Sequence, residues 1–93
     1  MSPPLFCSLE GELPDSRWLA RPLTVAIEYG EEEIVVSEPY FHIHASASTE
    51  AEALASFRRI FSGYLDVLST QEGQLDSYLH EQLAYLRSYI VIE

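Results

Sequence analysis

Pro39 to Phe61 reads PYFHIHASASTEAEALASFRRIF. Its first half alternates. Phe41, Ile43 and Ala45 fall on one side of an extended chain and Tyr40, His42 and His44 on the other, which predicts a strand over residues 40–47. Its second half repeats every three to four residues instead. Between the two, Thr49 stands three residues before Glu52, the capping-box spacing in which the threonine hydroxyl accepts from a free amide of the first helical turn. The chain is therefore expected to pass from strand to helix at Ser48–Thr49, so that sheet comes first and helices follow.

Downstream of the switch, Leu54, Phe57, Phe61, Tyr64, Leu65 and Leu68 recur at helical spacing and predict one apolar stripe on a first helix. Gly63 interrupts that helix at a cost of about 1 kcal/mol relative to alanine. Gly73 marks its end. A second helix is predicted over residues 75–89, with Leu75, Leu79, Leu83, Leu86 and Ile90 along one side. Beside this leucine stripe run Tyr78, Gln82, Tyr85 and Tyr89. Aromatic residues at helical spacing usually belong to a core; here the leucines already supply one, so Tyr78, Tyr85 and Tyr89 are candidates for self-association. The closing YIVIE is β-branched, and its pattern leaves three outcomes open: a frayed end, continued helix or a returning strand.

Upstream, Leu23, Val25, Ile27 and Tyr29 alternate with Thr24, Ala26 and Glu28, the period of a half-buried strand. GEEE, Gly30 to Glu33, reads as a polar turn, and EIVVSE, Glu33 to Glu38, as a second strand ended by Pro39. Residues 1–22 hold four of the five prolines and are expected to form an irregular arm, with a short edge strand at Leu5, Cys7 and Leu9 as the alternative and Trp18 packed against the domain. The whole is expected to be α+β: a three-stranded antiparallel β-meander followed by two α-helices packed on one of its faces.

Ninety-three residues suit one domain, and 47% hydrophobic with 22% charged residues is the balance of an ordered globular chain. Fifteen acids against five basic residues, all arginine, give a net charge of −10. Such a field repels nucleic-acid phosphates and anionic lipid and attracts cationic partners. No apolar run approaches membrane length, the first residues do not read as a signal peptide, and a lone Cys7 makes no disulfide framework, so a cytoplasmic chain is expected.

Catalytic signatures are weak. The four glycines share no loop that could cradle phosphate, Cys7 falls in the expected arm, and no serine stands in a G-x-S-x-G turn. His42 and His44 are the one candidate metal pair, since residues two apart on a strand share a face. Zinc needs a third and fourth ligand, however, and His80, Glu28 and Glu38 are the nearest in kind. With helices over the Phe41 face, His80 lies on the wrong side of the sheet. No metal, no cofactor and no catalytic residue is assigned, and a hydrolase built on the H-x-H pair is the weakest reading.

The run EEIVVSEPYFHIHASASTEAEALASFRRIF resembles the small HicB-like antitoxin family, in which a strand pair breaks near a proline, a short strand follows, and a threonine-led cap opens an amphipathic helix. The matching residues here are Pro39, the cap at Ser48 and Thr49, then Glu52, Ala53, Leu54 and Phe57. The likeness covers residues 23 to about 68 and departs from the family at Ala45 and Ala47, where glycine is common, and in the tyrosine-bearing second helix. It implies a single partial ribonuclease-H-like domain over residues 23–93 that masks a small basic ribonuclease toxin and is not itself an enzyme. No DNA-binding tail is recognisable. Charge and exposure nominate Glu31, Glu32, Glu33 and Glu38, with Tyr40, His42 and His44, as partner contacts. The alternative is an orphan domain of the same fold that assembles, as a homodimer for instance, through its second helix.

Overall fold

Leu5–Leu13 (β1) and Arg17–Tyr29 (β2) form a long hairpin in the computed structural model, which describes residues 4–92. Ile34–Glu38 (β3) and Ile43–Ala47 (β4) continue the sheet in chain order, every neighbour antiparallel. Helix Glu50–Thr70 (α1), a 3-10 turn at Glu72–Gln74 and helix Ser77–Tyr89 (α2) come next. The chain then returns to the sheet. Ile90–Ile92 (β5) pairs antiparallel with Arg17–Leu19 of β2, on the edge of β2 that β3 occupies further along. The fold is α+β with an antiparallel sheet and two helices, and the expected meander is present as β2, β3 and β4. The sheet is larger than expected by β1 and β5.

Inward-facing side chains follow the period of two. Leu23, Val25 and Ile27 of β2, Val36 of β3, and Ile43 and Ala45 of β4 are buried, and their neighbours along each strand are not. Against them α1 sets Ala53, Phe57, Phe61, Leu65 and Leu68, while α2 sets Leu83 and Leu86, all in one cluster. Both helices therefore cover the same face of the sheet. At the start of α1 the Thr49 side chain accepts from the Glu52 amide at 3.2 Å, and at the start of α2 Asp76 accepts from Leu79 at 2.9 Å. These bonds satisfy amides that the first turn of a helix leaves free. The 30–33 turn closes with Gly30 N–H donating to the Glu33 carbonyl at 2.8 Å, and a side chain at position 30 would meet that oxygen at 3.0 Å.

Residues 5–22 are not an irregular arm; residues 1–3 of that expected span lie outside the described residues. Asp15 and Ser16 both take positive φ (64° and 58°), which folds the chain tightly enough for Leu13 to face Arg17 across the hairpin. Pro22 is accommodated where the register of β1 against β2 shifts between Leu9 and Gly11, a place where the ladder does not need its missing amide. Cys7 is half-buried in β1 against the core, and Trp18 is half-buried opposite Glu12 and Val91. The third strand of the expected meander is shorter than its alternation predicts. Residues 39–42 turn, and only Ile43–Ala47 is strand.

Candidate functional site

The β3–β4 turn is held from within. Glu38 is buried, and its carboxylate accepts from the amides of Tyr40 (3.1 Å) and Phe41 (2.7 Å). A carboxylate with both oxygens engaged this way shapes the turn and has no surface to offer, so Glu38 is withdrawn as a partner contact. The turn then places His42 at φ +56°, with its amide directed at the Pro39 carbonyl. His42 and His44 are thus not two residues of one strand: His44 stands on β4 opposite Ser37, whereas His42 occupies a left-handed turn position. Among the described residues no three or more His, Cys, Asp or Glu side chains are grouped so that they could hold a metal ion. Positive φ costs a side-chain-bearing residue roughly 1–2 kcal/mol, a cost glycine escapes. His42→Gly is accordingly expected to leave the unfolding midpoint unchanged or slightly raised in urea melts; a clear loss would show that the imidazole itself holds the turn.

The seven nominated contacts do not form one patch. Glu31, Glu32 and Glu33 cap the β2–β3 end of β3, and Tyr40 and His42 lie beyond its other end, about 13 Å or more away at the rise of a five-residue strand. The tyrosines of α2 are also largely spoken for within the chain. Tyr85 packs on Tyr40 (ring centroids 4.7 Å apart) and on Tyr89, and the Arg21 guanidinium sits over the Tyr89 ring at 3.9 Å. Partial burial raises the phenol pKa of Tyr40 and Tyr89. Tyr78, half-exposed, accepts a hydrogen bond from Gln82.

Charge is divided between the two sides of the sheet. Every arginine reaches to the helical side. Arg17 donates to the Ser62 carbonyl at 2.8 Å and forms an ion pair with Asp66, whose carboxyl that hydrogen bond lowers below the ordinary range. Arg21 reaches α2, and Arg87 pairs with Glu72, lowering the Glu72 carboxyl in the same way. Arg58 and Arg59 belong to α1 itself. The opposite face of the sheet is uncovered. The register places Phe6, Ala26, Ser37 and His44 in one row across it, with Glu28, Val35 and Ser46 in the next. Glu10, Glu12 and Glu28 are exposed on that side, Glu31–Glu33 border it, and among the described residues no arginine forms an ion pair with any of them, Arg58 reaching only the Glu12 carbonyl.

Comparisons leave the family open. No family model, no curated protein and no solved structure matches this chain at a significant level. They neither favour nor oppose a HicB-like assignment, and function rests on the residues themselves.

An apolar-walled concavity lies elsewhere, at the free edge of β4. Phe41, His42, Ile43 and His44 form one wall, and Ile60, Gly63, Tyr64 and Val67 of α1 the other, around about 540 Å³. The alternation of residues 40–45 placed the two histidines near each other but gave no sign of this groove. It forms because β4 is the last strand of the sheet and α1 lies alongside it, exposing Ile60 and Val67. The missed signal was in α1: Ile60 and Val67 fall off the predicted core stripe, on either side of Gly63.

No helix among the described residues is long and apolar enough to cross a membrane.

Proposed function

We propose that this chain is a non-enzymatic, cytoplasmic binding module that receives a basic protein partner on the open, acidic face of its sheet. The observation that carries the reading is the segregation of charge. The arginines are drawn to the helical side, which leaves Glu10, Glu28 and the Glu31–Glu33 turn without an ion-pair partner among the described residues. Apolar and polar side chains between the acids, Phe6 and His44 among them, supply contact area, while the acids steer the encounter. Masking of a small basic ribonuclease, the role implied by the HicB-like resemblance, is the specific form of this reading. Its mechanism is occlusion, with the acidic face covering the cationic groups that grip RNA.

Co-purification from native extract with mass spectrometry is the direct test, and the partner is expected to be basic. Its association rate should fall steeply as salt rises from about 50 to 300 mM, with a much smaller change in dissociation. Replacing Glu31, Glu32 and Glu33 together with glutamine should slow association severalfold at low salt and leave the fold intact, since all three side chains are exposed in a turn. An acidic partner, or a rate indifferent to ionic strength, removes this reading and puts assembly first. Assembly through α2 is the weaker route, because Tyr85 and Tyr89 already pack on one another and on Arg21. A metal-dependent hydrolase has the least support, given the left-handed placement of His42.

A further inference from the structure

The free edges at the two ends of the sheet, those of β1 and β4, are treated differently. At the β1 edge, Arg58 donates to the Glu12 carbonyl at 2.8 Å, Gly11 takes φ +87° beside the register shift, and Glu10 and Glu12 flank it. Charge, irregularity and an occupied carbonyl are the usual means by which a sheet edge is protected from a second strand. The β4 edge has none of them. IHASA contains no proline, lysine, arginine or acid, and its register with β3 is regular from Ile43 to Ala47. Alongside runs the exposed stripe of α1, with Ile60 41% and Val67 54% accessible.

Gly63 sits in the middle of that stripe. A glycine inside a helix is costly relative to alanine. Nothing in its own chain requires it here, because an added Cβ would meet no atom within 4 Å. Close approach by another molecule would.

The choice of molecule follows from charge. In a chain of net charge −10, two copies repel almost wherever they meet. Both walls of this groove come almost wholly from acid-free sequence: residues 39–49 and 53–65 contain no aspartate or glutamate. A basic partner would find no carboxylate here, but a second copy would meet no repulsion. The strand also complements itself. Antiparallel pairing centred on Ala45 sets Ile43 against Ala47 and His44 against Ser46, so neither large nor chargeable residues face their own kind.

We propose that β4 is the seam of a homodimer, in which two β4 strands pair across a two-fold axis and the two sheets become one. The α1 stripes meet beneath the seam with Gly63 at the closest approach. Such an interface is isologous and closes on itself, so it consumes the bare edge. It runs along the border of the acidic face, where His44 and Ser46 stand, and leaves that face uncovered in both copies.

Sedimentation of the full chain over a concentration series tests the proposal. The parent is expected to dimerise at or below the order of 100 μM. Gly63→Gln and Val67→Glu should each raise the dimer dissociation constant by about tenfold or more. Each should keep its circular dichroism and, in melts run at protein concentrations too low for dimerisation, a urea midpoint close to the parent's, because neither position is packed within the monomer. Amide exchange in the parent supplies a reading that needs no variant: amides in residues 43–47 should be slower at high than at low protein concentration. A parent that stays monomeric at that concentration overturns the dimer. So does a dimer indifferent to both substitutions, or one dissolved by Tyr78→Ala instead, which would move the seam to α2.

Discussion

Phe57→Ala is expected to lower the unfolding free energy by about 3–5 kcal/mol. The ring is fully buried on the inward side of α1, stacked on Phe61 with centroids 5.9 Å apart, and surrounded by the sheet and α2 in one core cluster. Truncation removes the apolar area that drives burial and leaves a cavity that neighbours on three sides cannot fill without moving β-strands. Domains of this size are stable by roughly 5–15 kcal/mol, so the loss takes a large share of the total. Urea melts should show the midpoint falling with the slope unchanged, as for a smaller core in the same fold. Phe57→Leu, which keeps most of the volume, should cost far less. A change below about 1 kcal/mol for the alanine variant would mean that α1 does not anchor the core through this residue.

Gln82→Ala should be nearly as severe, by about 2–4 kcal/mol, for a different reason. This amide is 2% exposed and makes three bonds: Nε2 donates to the Tyr40 carbonyl (2.8 Å) and the Tyr78 hydroxyl (3.0 Å), while Oε1 accepts from the Tyr64 hydroxyl (2.6 Å). One side chain thereby joins α2 to α1 and to the β3–β4 turn. Without it the Tyr40 carbonyl and the Tyr64 hydroxyl, whose pKa burial already raises, lose their partner where water does not easily replace it. Two further substitutions separate bonding from volume. Gln82→Leu fills the space and lacks the bonds, so it should remain clearly destabilised. Gln82→Glu cannot donate to the Tyr40 carbonyl when ionised, and burial would raise its pKa in the folded state. The folded protein then binds the extra proton more readily than the unfolded chain, so this variant should gain stability relative to the parent as pH falls. Full stability of Gln82→Leu in urea melts would show that packing alone holds α2 in place.

The parts of this fold that were legible in the sequence are those whose cause is local. Thr49 caps α1 because the hydroxyl and the amide it serves are three residues apart, and the alternation from Leu23 to Ile27 reports its own burial. Gly30 similarly marks its turn. What was not legible depends on residues far away. The β1 strand looks like an arm because prolines interrupt its neighbourhood, and only the register with β2 shows where Pro22 does no harm. The positive φ of His42 is imposed by the Glu38 carboxylate gathering two amides, a bond with no period to betray it. Gln82 reads as one more polar residue beside tyrosines until Tyr40 and Tyr64 are brought to it by the packing of α2. The candidate site divides the same way: the acidity of residues 31–33 is plain in the sequence, whereas the segregation of the arginines and the bare edge of β4 exist only in three dimensions.

The return of β5 to the sheet has a consequence for how the molecule is made. Ile90–Ile92 pairs with Arg17–Leu19, partners roughly seventy residues apart, so the loop closed by that pairing spans most of the chain. The β1–β2 hairpin, the meander and α1 all join sequence neighbours and can assemble on their own timescale; the β5 pairing has to wait for everything between. During synthesis the edge of β2 at Arg17–Leu19 stays open until Ile90–Ile92 have left the ribosome, a vacant slot that any extended apolar segment could occupy. Production of this protein should therefore be most vulnerable to aggregation before β5 has emerged, and sensitive to changes that keep Ile90–Ile92 from joining the sheet.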